Sequence, residues 1–238
     1  MPTHWETLKV DGDDMKAFVR EPDTTGRHPG VVVVMGRTGI DEALQEQVAD
    51  LAANGFVSIA SDMFHREDPN APDYDTANMR VLDVNIEKDV NVVISTLKAH
   101  ALVDPKRIGI VGFCMGGRIS YLMATRNSEI KAAAVYYGGN IMKPRGDGPS
   151  PFEQTANISC PVIGLFGLED ENPSPVDVQK IDAELKRLGK VHEFHSYSDA
   201  GHAFMGKGRS SYREHAAKDA WPKTLDWFQK HLAADLKT

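Results

Sequence analysis

Ile108-Gly109-Ile110-Val111-Gly112-Phe113-Cys114-Met115-Gly116-Gly117-Arg118-Ile119-Ser120-Tyr121-Leu122 is the stretch on which the fold turns. Ile108 to Val111 has the apolar pattern of a strand, and Met115 to Ala124 that of a helix. The corner between them, Gly112-Phe113-Cys114-Met115-Gly116-Gly117, has the pattern glycine, any residue, nucleophile, any residue, glycine. Such a turn is so tight that the residues two before and two after its centre must be small. It lifts the central side chain out of the sheet onto a helix N-terminus, where the dipole favours thiolate over thiol. The N–H of Met115 then faces the space where an oxyanion would form. A lone cysteine at a strand–helix junction is usually a small buried hydrophobe. Glycines at both critical positions turn the reading toward a nucleophile. Cys160, in Ile158-Ser159-Cys160-Pro161, has no such setting and reads as structural.

Outward from this corner, strand and helix patterns alternate. Upstream, Trp5–Val10 and Met15–Val19 flank Asp11-Gly12-Asp13 as a hairpin. Gly30-Val31-Val32-Val33-Val34-Met35 is a continuous β-branched run, the mark of a strand covered on both faces. Leu44, Val48 and Leu51 follow helical spacing until Asn54-Gly55, and Phe56–Ala60 is the next strand. Met79, Leu82, Ile86, Val90, Val93 and Leu97 form one stripe, which predicts a long helix over Thr76–Ala99. Downstream, strands are predicted at Ala132–Tyr136, Val162–Phe166 and Val191–Tyr197. Ser174-Pro175 caps a helix with Val178, Ile181, Leu185 and Leu188 on its core face. Leu225, Phe228 and Leu232 mark a last helix, which Pro222 starts or kinks. The alternation implies an α/β fold: a mostly parallel, doubly wound sheet with an N-terminal antiparallel hairpin and helices on both faces. Chemistry in such sheets collects at the carboxyl ends of the strands.

The chain has 238 residues, of which 41% are hydrophobic and 26% charged, with Gly 20 and Pro 13. That composition argues against disorder. No repeat appears, and the Pro/Gly-rich stretches at Asp68–Asp73 and Lys143–Pro151 are loop-sized, so residues 1–238 are expected to form a single domain. A net charge of −7 offers no general attraction to phosphate backbones or anionic lipid. No nucleic-acid or membrane partner is expected. The N-terminus lacks an apolar signal region, which points to the cytoplasm. Two cysteines cannot build a disulfide framework, and no Cys/His cluster has the spacing of a structural zinc site. No phosphate-loop or dinucleotide motif appears, so neither metal nor cofactor is expected.

A nucleophile needs a base, and the base an orienting acid. After the predicted strands come Gly167-Leu168-Glu169-Asp170-Glu171 and Asp199-Ala200-Gly201-His202-Ala203-Phe204, in the chain order nucleophile, acid, His. His202 is the candidate base. Among three adjacent carboxylates, most of which are merely solvated in such runs, Asp170 is preferred over Glu169 because a short side chain is more easily locked against one imidazole nitrogen.

With these residues in hand, the sequence resembles the dienelactone hydrolases, cysteine-based members of the α/β-hydrolase superfamily, from about Met15 to Leu232. The resemblance is carried by Gly112–Gly117, Tyr136-Tyr137-Gly138, Gly167-Leu168-Glu169-Asp170 and Ala200-Gly201-His202-Ala203-Phe204. It implies Cys114 as nucleophile, Asp170 as acid, His202 as base, and the backbone amides of Arg37 and Met115 as the oxyanion hole. It further implies a small lactone or ester substrate bearing a carboxylate held by arginines. Asp62-Met63-Phe64-His65-Arg66 resembles the segment supplying one of them, which makes Arg66 a candidate. A second family arginine falls at Gly206, where Lys207 or Arg209 is the nearby substitute. For Arg66, Lys207 and Arg209 an exposed loop cation is the competing reading. The family glutamate that contacts the thiol falls at Gly36, so its carboxylate is missing, and Arg37 beside it is a further candidate for a substrate anion or for lowering the thiol pKa.

These readings combine in acyl transfer to sulfur with a thioester intermediate, in a monomer or small homo-oligomer. A general carboxylesterase or thioesterase on the same scaffold is the alternative. A non-catalytic ligand-binding protein on a hydrolase scaffold is the alternative of another class, and the missing glutamate is its main support.

Overall fold

The computed structural model describes residues 3–68 and 74–233; of the Asp68–Asp73 loop expected above, residues 69–73 lie outside the described part. The strands are β1 (Thr3–Val10), β2 (Asp13–Arg20), β3 (His28–Val34), β4 (Val57–Ser61), β5 (Val103–Phe113), β6 (Ile130–Tyr136), β7 (Val162–Gly167) and β8 (His192–Tyr197). They form one sheet in the order β1-β2-β4-β3-β5-β6-β7-β8. β1–β2 is the expected antiparallel hairpin, β2 runs antiparallel to β4, and every later pairing is parallel. This is the α/β-hydrolase architecture. The helices are α1 (Glu42–Ala53), α2 (Tyr74–Arg80), α3 (Asp83–Ala99), α4 (Met115–Arg126), α5 (Pro175–Arg187) and α6 (Glu214–His231).

Covering helices explain the apolar strands. Val31 to Val34 are all buried, as a central strand between two helical layers requires. Gly30 on β3 faces Leu97 of α3, whereas Gly109 on β5 faces Phe228 of α6. Gly30 pairs with Ile108, the residue next to Gly109, so α3 and α6 cover opposite faces of the sheet. Asp41 caps α1 by accepting the N–H of Leu44 at 3.0 Å, and Ser174 caps α5 by accepting that of Asp177 at 3.2 Å. Among the described residues no helix is long and apolar enough to cross a membrane.

Two sequence expectations change. The helix predicted over Thr76–Ala99 is two helices, with Leu82 between them in extended conformation at φ −94° and ψ 146°. Asp83 fixes the break: its N–H donates to the Arg145 carbonyl at 2.9 Å, and its carboxylate accepts both terminal nitrogens of the fully buried Arg118 at 2.5 and 3.0 Å. The chain therefore enters α3 from an anchored point. Met79 and Leu82, counted in the apolar stripe, are exposed instead. Pro222 lies inside α6, which begins earlier, at Glu214, rather than at the start of a helix.

The carboxyl ends of β3, β5, β6, β7 and β8 converge on one cavity of about 780 Å³. Its lining draws on all five loops, through Gly36–Gly39, Cys114, Tyr137 with Arg145, Glu169–Asn172, and His202 with Ala203 and Met205.

Candidate active site

Cys114 adopts φ +58° and ψ −116°, a left-handed conformation that a non-glycine residue holds only when its surroundings enforce it. The surroundings are backbone. A side chain at Gly112 would fall on the Gly116 carbonyl, and one at Gly116 on the Val34 carbonyl. The corner is further pinned by the Cys114 N–H on the Tyr136 carbonyl at 3.1 Å and by the Cys114 carbonyl accepting the Arg118 N–H at 3.2 Å. These contacts aim the sulfur into the cavity at the start of α4.

Burial pushes the Cys114 thiol up, but a hydrogen bond and charge from His202, joined by the N–H groups of Met115 and Arg37, more than offset it. The thiol ends below its ordinary value. Two backbone donors on one sulfur are also the donor pair an adjacent oxyanion would meet. His202 Nδ1 lies 2.8 Å from Asp170 Oδ2. Burial lowers the His202 pKa, while the bond to Asp170 and the contact with Cys114 raise it further, to about 10. Asp170 is itself buried, and its second oxygen accepts the Asn172 N–H at 2.9 Å, so the carboxylate is held in one orientation. Glu169 is exposed, and its N–H goes to the Ala200 carbonyl. The Tyr137 ring packs edge-on to His202 at 5.2 Å between centroids and limits its rotation.

The structure thus brings Cys114, His202, Asp170, Met115 and Arg37 together. It does not bring in Arg66 or Lys207. Arg66 donates to both oxygens of Asp89 at 2.7 Å and is absent from the cavity wall, because Asp89 on α3, with Asp11 and Asp13 of the hairpin, draws it away. Lys207 is exposed and pairs with Glu46 of α1 at 3.2 Å, outside the cavity. Arg209 lines the cavity, tied to Asp41 at 2.9 Å. Arg37 lines it as well. Gly36 faces Cys114: a Cβ there would lie 3.6 Å from that of Cys114, so a side chain at this position would adjoin it.

Sequence reasoning missed Arg145, Asn78, Asn140 and Asn172, all on the cavity wall. Arg145 lies in a stretch read only as a loop. A cation in a loop after a parallel strand, at the catalytic end, was the available signal. Among the described residues, the non-glycine positions with positive φ are Asp11 in the hairpin turn and Cys114, Tyr137, Asn140 and Ala203, and these last four line the cavity. No group of three or more His, Cys, Asp or Glu side chains among the described residues could hold a metal ion.

Comparison with known proteins follows the same lines. Residues 15–232 match the dienelactone hydrolase family. The chain is 32% identical over 234 residues to a Yersinia pestis protein named "Putative carboxymethylenebutenolidase", covering 94% of this chain and 87% of that one. It is 32% identical over 237 residues to a Bradyrhizobium protein named "Probable 2-oxo-3-(5-oxofuran-2-ylidene)propanoate lactonase", covering 96% and 94%. The crystal structure titled as a putative dienelactone hydrolase from Klebsiella pneumoniae superposes with a TM-score of 0.89 at 31% identity, covering 96% of this chain and 98% of that one.

Proposed function

Because the chain belongs to the dienelactone hydrolase family and is a hydrolase of that type, we propose that it opens a small carboxylate-bearing lactone or activated ester through Cys114, His202 and Asp170. The observation that carries this reading is buried Asp170 bonded to His202, with His202 and the backbone N–H groups of Met115 and Arg37 lowering the Cys114 thiol pKa. The lowered thiol pKa and the raised imidazole pKa both favour thiolate and imidazolium in the resting pair. No carboxylate at Gly36 is then needed to ionise the sulfur, since His202 takes the proton directly.

The thiolate attacks the carbonyl carbon, and the N–H groups of Arg37 and Met115 hold the oxygen as it becomes anionic, each worth about 3 kcal/mol in sites of this kind. Collapse forms the thioester and breaks the bond to the ring oxygen, which leaves with the proton of imidazolium His202. Neutral His202 then deprotonates a water that attacks the thioester, and the second collapse releases the acid and restores thiolate and imidazolium. Asp170 holds the ring through Nδ1 and stabilises its charge in both steps. Enol lactones and aryl esters suit this chemistry because their leaving groups are better than a thiolate. Amides do not, since sulfur would be expelled before the amine, so little amidase activity is expected.

The test is steady-state hydrolysis of a carboxymethylenebutenolide and of a 4-nitrophenyl ester by the parent enzyme and by Cys114→Ala. The reading requires loss of turnover on both substrates, and equal rates would refute it.

A further inference from the structure

Arg145 stands on the loop that follows β6, at the cavity wall. Its side chain donates from Nη1 to the Asn78 carbonyl at 2.8 Å and from Nη2 to Asn78 Oδ1 at 3.1 Å, so both bonds go to a neutral residue. Among the described residues, the charges near enough to act on it are Arg118, Asp83 and the Cys114 sulfur. Asp83 is already spent: its carboxylate holds Arg118, and what it accepts from residue 145 is the backbone N–H, at 3.1 Å. Burial, then repulsion from Arg118, depresses the Arg145 pKa to about 10, which still leaves the group cationic at neutral pH. Arg209, another cation of the cavity wall, is neutralised by Asp41.

A half-buried cation whose guanidinium meets no carboxylate among the described residues costs stability, and an anionic ligand is what would compensate it. The position is also built. Arg118, on the first turn of α4 directly behind the nucleophile corner, donates to the carbonyls of Asn140 at 3.1 Å and Lys143 at 2.7 Å as well as to Asp83. One buried guanidinium therefore ties the helix that carries Cys114 to the loop that carries Arg145, fixing the distance between them.

We propose that Arg145 is the specificity-determining cation of this site, taking the substrate's carboxylate while Cys114 attacks its carbonyl, in a role the sequence had suggested for Arg66, Lys207 or Arg37. The inference rests on the hydrolase reading above. Asn78 then acts as a positioning residue that spreads the guanidinium. The loop's own anchorage does not need the Arg145 side chain, because the bonds between residues 145 and 83 are made by the residue 145 peptide groups. Substitution at 145 leaves them in place.

The experiment compares kcat/KM for a carboxymethylenebutenolide and for its methyl ester in the parent, Arg145→Gln, Arg145→Lys, Arg37→Gln and Cys114→Ala enzymes. Arg145→Gln should lower kcat/KM for the free acid on the order of 30-fold, mainly through KM, and that for the methyl ester less than threefold. Arg145→Lys should recover part of the loss, and Arg37→Gln should leave the preference for the acid in place. An acid-to-ester ratio unchanged by Arg145→Gln, an equal loss on both substrates, or a preference abolished by Arg37→Gln instead would each overturn the assignment while the Cys114→Ala loss kept the hydrolase reading intact. Undiminished turnover by Cys114→Ala would remove that reading, and the inference with it.

Discussion

Cys114 and Cys160 are both withdrawn from solvent, yet the fold drives their thiols in opposite directions. Cys160 sits at the amino end of β7, buried, and burial pushes its pKa up to about 12. Cys114 sits at the carboxyl end of β5, suffers the same penalty, and still ends below its ordinary value. The difference lies in what faces each sulfur: apolar packing in one region, and an imidazole with two backbone N–H donors in the other. Low polarity by itself disfavours a thiolate, and aimed donors within it favour one.

The sharpest way to break this contrast is to remove the imidazole. His202→Gln should cut kcat by about 10³- to 10⁴-fold and raise the pH at which Cys114 is alkylated, with both read on the same preparation. Asp170→Asn comes next, because it leaves the ring in place but loses its orientation and charge; a fall of about 10²- to 10⁴-fold is expected, whereas Glu169→Gln should stay within a few-fold in the same assay. If only Glu169→Gln lost activity, the carboxylates would have been exchanged. Arg118→Met tests the framework behind the corner: it strips Asp83 of its buried partner, and urea unfolding should show a loss of about 3–5 kcal/mol. Cys160→Ser makes the smallest change. It exchanges a buried sulfur for a hydroxyl, which should cost about 1–3 kcal/mol in the same denaturation experiment and leave the rate per folded enzyme within twofold.

The tight corner at Cys114 was legible in sequence because its constraints are local. Gly112, Gly116 and Cys114 fall within five residues, and backbone collisions alone dictate which of them can carry side chains. The run holding Asp170 follows β7, which is buried throughout, whereas the loop holding His202 follows β8, a more polar strand in which Phe194 and Tyr197 carry the apolar signal. Asp170 is buried and bonded to His202 whereas Glu169 is exposed, a difference in burial that the length of the two side chains does not encode.

The opposite wall was not legible, because it is held from far along the chain. Arg118 reaches Asp83 at a separation of 35 residues, and Arg145 reaches Asn78 at 67. No periodicity encodes such pairs, and the stripe through Leu82 and Ile86 concealed the point at which Asp83 interrupts the helix. The placement of Arg66 was hidden in the same way: its local segment resembles the family's, but its guanidinium pairs with Asp89, 23 residues away on α3.

The most direct measurement is peptide-resolved alkylation by iodoacetamide as a function of pH, followed by mass spectrometry of the intact-fold protein at both cysteines. A lowered pKa means that the Cys114 thiolate is lost only as pH falls through that lowered value. Its labelling should therefore persist well below the range of an ordinary thiol, roughly pH 8.5, while Cys160 stays unlabelled throughout. Labelling of Cys114 that rises only at or above that ordinary range, or two cysteines reacting alike, would contradict an ionised sulfur paired with His202.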